Sequence, residues 1–94
     1  MTIYKWNKEK NILLKKTRNI SFEQVVMHIE QGDLLDIIKN PNDKKYSHQK
    51  ILVVLIKNYV YAVPFVEEKG KDEKFLKTII PSRKLTKKYL GAKS

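Results

Sequence analysis

The sequence predicts an α+β domain in which a pair of helices packs on an antiparallel sheet. Helical patterns occupy the first third of the chain and strand patterns follow them, an order typical of α+β folds. Residues 51–56 form a continuous apolar run rich in β-branched side chains, which indicates a central strand covered on both faces. The length of 94 residues suits one domain, so we expect residues 1–94 to form a single unit.

Two consecutive helices are predicted before Gly32. Asn7 is a suitable N-cap for the first helix, which runs through good helix formers to about Thr17. The second helix follows Ser21, which forms a capping box with Gln24. Its apolar residues fall at i, i+3, i+4 and i+7, namely Phe22, Val25, Val26 and Ile29. Gly32 is placed to end this helix, so the two helices make a hairpin.

The rest of the chain predicts four strands, or five if the first residues form one as well. The strand candidates are residues 2–6, 34–38, 51–56, 59–66 and 74–80. Lys57 and Asn58 suit a hairpin turn, because Asn tolerates positive φ. Pro64 cannot donate a backbone hydrogen bond, so we expect a bulge or an unpaired edge there. A short helix over residues 83–90, stopped by Gly91, completes the pattern.

The net charge of +10 predicts a polyanionic partner, because such a field speeds encounter with polyanions. Residues 1–18 carry six basic side chains against one acid, and residues 74–94 carry seven and no acid. If the two ends of the chain meet in space, they form one basic face. Nucleic acid is the first candidate partner, an acidic protein is the second, and solubility alone is the third interpretation.

Several classes of protein are excluded by composition. The absence of cysteine excludes disulfides, cysteine-ligated zinc and thiol catalysis. The longest apolar run has six residues, too few to span a bilayer, and residues 1–18 lack the apolar segment of a secretory signal. We therefore expect a cytoplasmic protein without membrane contact. His28 and His48 are 20 residues apart without a carboxylate-rich ligand pattern near them, and no glycine-rich phosphate loop is present, so neither a metal nor a cofactor is expected. His28 is expected to be an exposed residue on the flank of the second helix.

Three segments resemble the BrnT family of bacterial toxins. Residues 4–8, Tyr-Lys-Trp-Asn-Lys before a basic helix, resemble the opening of that family. Residues 19–25, Asn-Ile-Ser-Phe-Glu-Gln-Val, are similar to its Gly-Val-Ser-Phe-Glu-Glu-Ala segment. Residues 79–88, Ile-Ile-Pro-Ser-Arg-Lys-Leu-Thr-Lys-Lys, resemble its closing Ile-Ile-Ser-Ala-Arg-Lys-Ala-Thr stretch. The segments keep the family's order and spacing across nearly the whole chain. Asn19 replaces a usual glycine and Pro81 a usual serine, and residues 33–49 do not align with the family's pattern.

The resemblance implies a fold, an activity and a partner. The BrnT family belongs with the RelE/ParE-like toxins, so the implied fold is RelE-like: a helical hairpin on a four- to five-stranded antiparallel sheet with a short C-terminal helix. The implied protein is the toxin of a type II toxin–antitoxin system, a metal-independent endoribonuclease that cleaves mRNA. Its implied partners are RNA and a cognate antitoxin that is acidic or binds DNA.

Two other functions are compatible with the same sequence features. The first is a non-catalytic basic module of the same fold that binds an antitoxin or nucleic acid without cleaving it. The second is a DNA-binding repressor subunit. The second predicted helix has a narrow polar face with two glutamates, which does not suit a recognition helix.

Metal-free RNA cleavage requires a base for the 2′-OH proton, an acid for the leaving 5′-oxygen and a cation for the phosphorane. Arg83 is the first candidate, because it matches the arginine of the closing motif and begins a helix after a strand. His48 titrates near neutral pH and could act as acid or base, and Lys50 could contact phosphate. Tyr61 could act through its hydroxyl or stack on a base, although packing with Tyr59 is the alternative.

Further lysines are candidates for binding the RNA backbone. The predicted RNA-binding residues are Lys15, Lys77, Lys84, Lys87 and Lys88. The last three fall at i, i+3 and i+4 of the final helix and therefore form one basic stripe. This stripe suits phosphate and an acidic protein partner equally well.

Overall fold

A computed structural model describes residues 2–42, 44–45, 49–67 and 70–91 of the chain. The elements in chain order are β1 (Ile3–Trp6), α1 (Lys8–Arg18), α2 (Phe22–Glu30), β2 (Leu34–Lys39), β3 (Gln49–Ile56), β4 (Tyr59–Glu67), β5 (Glu73–Leu76), β6 (Ile80–Pro81) and α3 (Arg83–Leu90). The predicted α+β class is confirmed. No helix in the described ranges is both long and apolar enough to cross a membrane.

The six strands form one mixed sheet. Its order is β1-β5-β4-β3-β2, and β6 pairs with β4 on the side where β5 also lies. All pairs are antiparallel except β1 with β5, which is parallel. The sequence predicted a sheet that is antiparallel throughout, and the parallel β1–β5 pair shows that this prediction was wrong. Only strands joined by tight turns must be antiparallel, and the whole α1–α2 hairpin separates β1 from the rest of the sheet.

The β3–β4 hairpin turns at the predicted pair, Lys57 and Asn58. Both residues have positive φ, 51° and 64°. Positive φ at both central residues is typical of the two-residue turn whose twist matches that of the strands it joins. The ladder between the strands continues without a bulge through Pro64, which pairs with Ile51. The interruption expected at Pro64 falls on its other side. There the Lys77 N–H donates to the Pro64 carbonyl at 2.8 Å, between the end of β5 and the start of β6.

The predicted strand over residues 74–80 is consequently two short strands, β5 and β6, separated by residues 77–79. In an extended strand the N–H and C=O of one residue point to the same side. The nitrogen of Pro64 therefore faces the gap between β5 and β6, where no donor is required. The missing donor therefore costs the sheet no ladder hydrogen bond, and it coincides with the break between β5 and β6.

The α1–α2 hairpin covers one face of the sheet, which we call the hairpin face. Its core consists of Leu14, Ile20, Phe22 and Val25 from the hairpin, packed on Leu52, Val54, Ile56, Val63, Phe65, Leu76 and Ile79. The Trp6 ring stacks on Phe22 with centroids 5.6 Å apart, so β1 is fixed to the start of α2. The predicted caps of both helices are confirmed. Asn7 accepts from the Lys10 N–H, and Ser21 accepts from the Gln24 N–H.

One buried polar side chain, Asn11, joins the two helices of the hairpin. The Phe22 N–H donates to Asn11 Oδ1 at 2.8 Å, and Asn11 Nδ2 donates to Glu23 Oε1 at 2.7 Å. The N–H groups in the first turn of a helix have no partner within the helix, and Asn11 satisfies one of them from α1. The hydrogen bond from Asn11 is also the main cause that lowers the pKa of Glu23 below its ordinary value of 4.5.

Replacing Asn11 with alanine should destabilise the protein by about 1–3 kcal/mol, because the buried N–H of Phe22 loses its acceptor. The free energy of unfolding in urea measures this loss. Thr17→Ala, an exposed change on the same helix, should stay within about 0.5 kcal/mol of the native chain. If the Asn11 variant were as stable as the Thr17 variant, the hydrogen bonds of Asn11 would not be what stabilises the packing of the two helices.

The same variant should raise the pKa of Glu23 toward 4.5, as followed by NMR titration of its side chain. Because folding lowers this pKa, ionised Glu23 favours the folded state above the unfolded pKa. That contribution is lost as the pH falls through the folded value.

Candidate nucleic-acid interface

The last helix, α3, docks on the sheet face opposite the hairpin through Thr86. The Val60 N–H donates to Thr86 Oγ1 at 3.0 Å, and Thr86 Oγ1 donates to the Ser82 carbonyl at 2.7 Å. The Ser82 N–H donates to the Val60 carbonyl at 3.0 Å, and the Ser82 side chain caps the helix. The N–H and the carbonyl of Val60 on β4 therefore both have hydrogen-bond partners at the start of α3.

The far end of α3 is held by Tyr89, whose hydroxyl donates to Asp36 Oδ2 at 2.8 Å. Asp36 pairs with Val53, so α3 runs across the sheet from β4 to β2. The hydrogen bond from Tyr89 lowers the pKa of Asp36 below its ordinary 3.8, and the carboxylate in turn raises the pKa of Tyr89.

The outward side of α3 is entirely basic. Its exposed residues are Arg83, Lys84, Lys87 and Lys88, whereas Leu85, Thr86, Tyr89 and Leu90 are buried or half-buried. The helix contains no acidic residue. We call these four exposed cations the α3 stripe. The predicted stripe is confirmed as exposed, and the structure adds Arg83 to it.

The basic end of α1 reaches the same edge of the sheet. The last turn of α1 carries Lys15, Lys16 and Arg18, and Arg18 Nη1 donates to the Ile79 carbonyl at 2.7 Å. Arg83 is the fourth residue after Ile79, a chain length of about 14 Å at most. The two basic helices pack on opposite faces of the sheet, so they do not lie side by side. They border one another at the β6 edge.

Lys15 and Lys77 are both near this edge, but their surroundings differ. Lys15 lies 3.8 Å from Glu23, which offsets part of its charge. Lys77 follows β5, and its Nζ lies 5.1 Å from the centroid of the Phe75 ring. An open groove separates this segment from α1, lined by Asn7, Glu9, Lys10, Leu13, Phe75 and Lys77.

The predicted catalytic residues are not gathered at one point. Pro81 pairs with Tyr61, so Arg83 lies two residues beyond the strand position beside Tyr61. Lys50 lies on β3 four residues before Val54, the partner of Tyr61, which places it about 13 Å further along the sheet. His48 lies outside the described residues. The structure thus places Arg83 and Tyr61 at one end of the sheet, on opposite faces, and Lys50 at the other end.

Lys50 and Tyr61 are both engaged on the hairpin face. Lys50 Nζ lies 3.5 Å from Glu67, which also approaches Lys74 Nζ at 3.7 Å. Tyr61 is half-buried, packs against the hairpin-face core and meets the Tyr59 ring edge-on at 5.8 Å. These contacts support the interpretation that Tyr61 is a packing residue of the sheet.

His28 differs from its expected position. The sequence indicated an exposed histidine on the flank of α2, but the residue is half-buried and its Nδ1 lies 2.8 Å from Asp33 Oδ2. The chain reverses after α2, where Gly32 has a φ of +96°, and the turn brings Asp33 back to the helix end. Within the described ranges, no group of three or more histidine, aspartate or glutamate side chains could hold a metal ion.

Sequence reasoning missed Lys10 and Phe75, which line the groove beside Lys77. Neither belongs to a motif, and they are 65 positions apart in the chain. Only the pairing of β1 with β5 brings the start of α1 next to Phe75.

The chain was compared with protein-family models, curated proteins and solved structures, and no significant match was found. The resemblance to BrnT toxins therefore stays an expectation drawn from the three segments.

Thr86→Val should destabilise the protein by about 1–3 kcal/mol, because valine keeps the shape but removes the acceptor of the buried Val60 N–H. Thr86→Ser retains the hydroxyl and loses only a methyl group, so it should be clearly more stable than the valine variant. Urea unfolding compares the three proteins. If the valine variant were at least as stable as the serine variant, the hydroxyl would not be what docks α3.

Proposed function

We propose that this protein binds RNA through the α3 stripe and the adjoining basic end of α1, as the toxin of a type II toxin–antitoxin pair. The α3 stripe is the observation that carries the proposal. Four cations project from one helix with no acidic residue among them, and Asp36 on β2 offsets part of the charge of Lys88 alone among the interactions described for the four. A helix that buries its other side against β4 holds these charges at fixed spacing. Such an array suits the regularly spaced phosphates of a nucleic acid.

RNA is favoured over an acidic protein by the resemblance to BrnT toxins. The closing segment of that family includes the strand-to-helix junction at which Arg83 stands here. An acidic antitoxin fits the same surface, because an inhibitor that covers the α3 stripe would exclude RNA by occupying its phosphate sites.

The proposed chemistry is cleavage of mRNA without a metal ion, with Arg83 as the residue that contacts the reacting phosphate. Its guanidinium can donate two parallel hydrogen bonds to phosphate oxygens and stabilise the charge that develops on the phosphorane. Tyr61 lies at the same end of the sheet but on the hairpin face, whereas α3 docks on the opposite face. Its hydroxyl therefore serves as the proposed proton donor only for RNA that passes around the β6 edge. His48 and Lys50 are retained as proposed acid–base and phosphate-binding residues.

The non-catalytic alternative also has a specific observation in its favour. Lys50 is paired with Glu67 and stands about 13 Å along the sheet from the strand position that pairs with Tyr61. Tyr61 packs against the core. A module that binds RNA or an antitoxin without cleaving needs only the charged surface, and this surface does not depend on bringing those groups together.

Arg83→Ala tests the proposal. Expression of the native chain alone should arrest bacterial growth, and the variant should relieve the arrest. Loss of a transition-state charge contact should reduce RNA cleavage by about 100-fold or more at every salt concentration. Lys84→Ala, which removes a neighbouring cation that only holds phosphate, should cause a smaller defect that shrinks at high salt. Cleavage of labelled RNA across a salt series distinguishes the two effects.

Lys39→Ala is the matched control, since Lys39 is exposed on β2 at the opposite edge of the sheet. It should leave arrest and cleavage close to native, with circular dichroism confirming the fold of each variant. A defect of tenfold or less in Arg83→Ala that disappears with salt would limit Arg83 to RNA docking. A native protein that binds RNA without cleaving it would support the non-catalytic alternative, and one that does not bind RNA would overturn the proposed function.

A further inference from the structure

The sheet face opposite the hairpin is only partly covered. α3 lies over the end of the sheet near Val60 and crosses toward β2. No described helix covers the same face at β1 and β5, where the Ile3 side chain is 54% exposed. Lys5, Phe75 and Val66 are cross-strand neighbours on this uncovered part. An aromatic ring on an open sheet face is the arrangement with which several RNA-binding domains stack unpaired bases.

The Phe75 ring is not part of the hairpin-face core. Its neighbour Leu76 is fully buried in that core, while Phe75 points to the other face and stays half-buried. Phe75 borders two open grooves. One lies against α1 and contains Lys10, Leu13 and Lys77, and the other lies against Val66, Glu67 and Glu73. Leu13, on the opposite wall of the first groove, is 51% exposed, so apolar surface is available on both sides of that groove.

The two grooves differ in the ion pairs that their charged residues form. In the second groove both acids are already paired, Glu73 with Lys5 at 3.1 Å and Glu67 with Lys50 and Lys74. In the first groove, no carboxylate of the described residues forms an ion pair with Lys10 or Lys77. Lys77 Nζ already lies over the Phe75 ring at 5.1 Å from its centroid. The first groove is also lined by Glu9, so it combines an aromatic wall with two cations and one carboxylate, and neither cation forms an ion pair within the described residues.

We infer that Phe75 is a stacking site for one unpaired nucleobase of single-stranded RNA, with Lys77 and Lys10 on the phosphates beside that base. This inference rests on the proposed function, and it adds a preference for the strandedness of the RNA. A base within a duplex has both faces covered by its neighbours and cannot stack on a side chain, whereas an unpaired base can. The groove lies beside the β6 edge, so a strand held there can continue toward the α3 stripe.

Phe75→Leu is the central test, because leucine fills similar apolar space without an aromatic face. The probe is a fluorescently labelled 2′-O-methyl oligouridine of about 12 nucleotides, which cannot be cleaved through its 2′-oxygen. Its dissociation constant is measured over a range of salt and compared with that of an RNA duplex of equal length. Phe75→Leu should weaken binding of the single strand by about tenfold and leave duplex binding unchanged. Phe75→Trp should restore it.

Lys77→Gln separates charge from stacking. Removing one phosphate contact to a single strand should reduce the slope of log Kd against log salt by about 0.7, whereas Phe75→Leu should shift the line without changing its slope. Ile37→Val is the matched control, because Ile37 is an exposed apolar residue on the opposite edge strand, β2. Circular dichroism and thermal unfolding verify that each variant keeps the fold.

The outcomes distinguish this inference from the proposed function. If the native protein binds the single strand and Phe75→Leu binds equally well, the stacking site is overturned and RNA binding stands. If Phe75→Leu lost equal affinity for the single strand and the duplex, the stacking site would also be overturned, because the Phe75 ring would then affect RNA binding only through the stability of the fold. If the native protein binds neither RNA, the proposed function and the stacking site fall together.

Discussion

The backbone of β4 is the constraint on which the rest of the structure depends. On one side it pairs with β3 from Tyr59 to Val66, and on the other it pairs with β5 and with β6. Its residue Val60 also exchanges hydrogen bonds with Thr86 and Ser82, which set the start of α3. The buried amide groups of an internal strand must all be paired, so few other positions are open to the elements around it. Pro64 is tolerated within this strand only because its nitrogen faces the gap between β5 and β6.

That gap has a consequence for the distribution of charge. Because the strand beside β4 is broken at residues 77–79, the chain bends there and exposes the Ile79 carbonyl to Arg18. The bend also places Lys77 over Phe75 and lets Ser82 begin a helix on the opposite face. Pro64 therefore lies beside the break in the sheet from which both the groove wall at Lys77 and the chain leading to α3 begin.

The net charge of +10 opposes folding through self-repulsion, and the fold lessens this by its arrangement. Acidic residues pair with lysines on the sheet, where Glu73 meets Lys5 and Glu67 lies between Lys50 and Lys74. Within the described part of the chain, no carboxylate forms an ion pair with the α3 stripe. The unbalanced charge is thereby concentrated on one helix and the edge beside it, which is the condition for a local binding field.

The sequence by itself determined the elements whose signals are local: the caps at Asn7 and Ser21, the turn at Lys57 and Asn58, and the basic stripe on α3. These features depend on residues within a few positions of one another, so the local sequence is sufficient to predict them. The parallel pairing of β1 with β5, the split after Leu76, the half-buried His28 and the groove at Phe75 were decided only by the tertiary structure. Each of these depends on which strand lies beside another, or on where a reversing chain returns. Side-chain periodicity indicates which residues are buried but not which distant strand they will face.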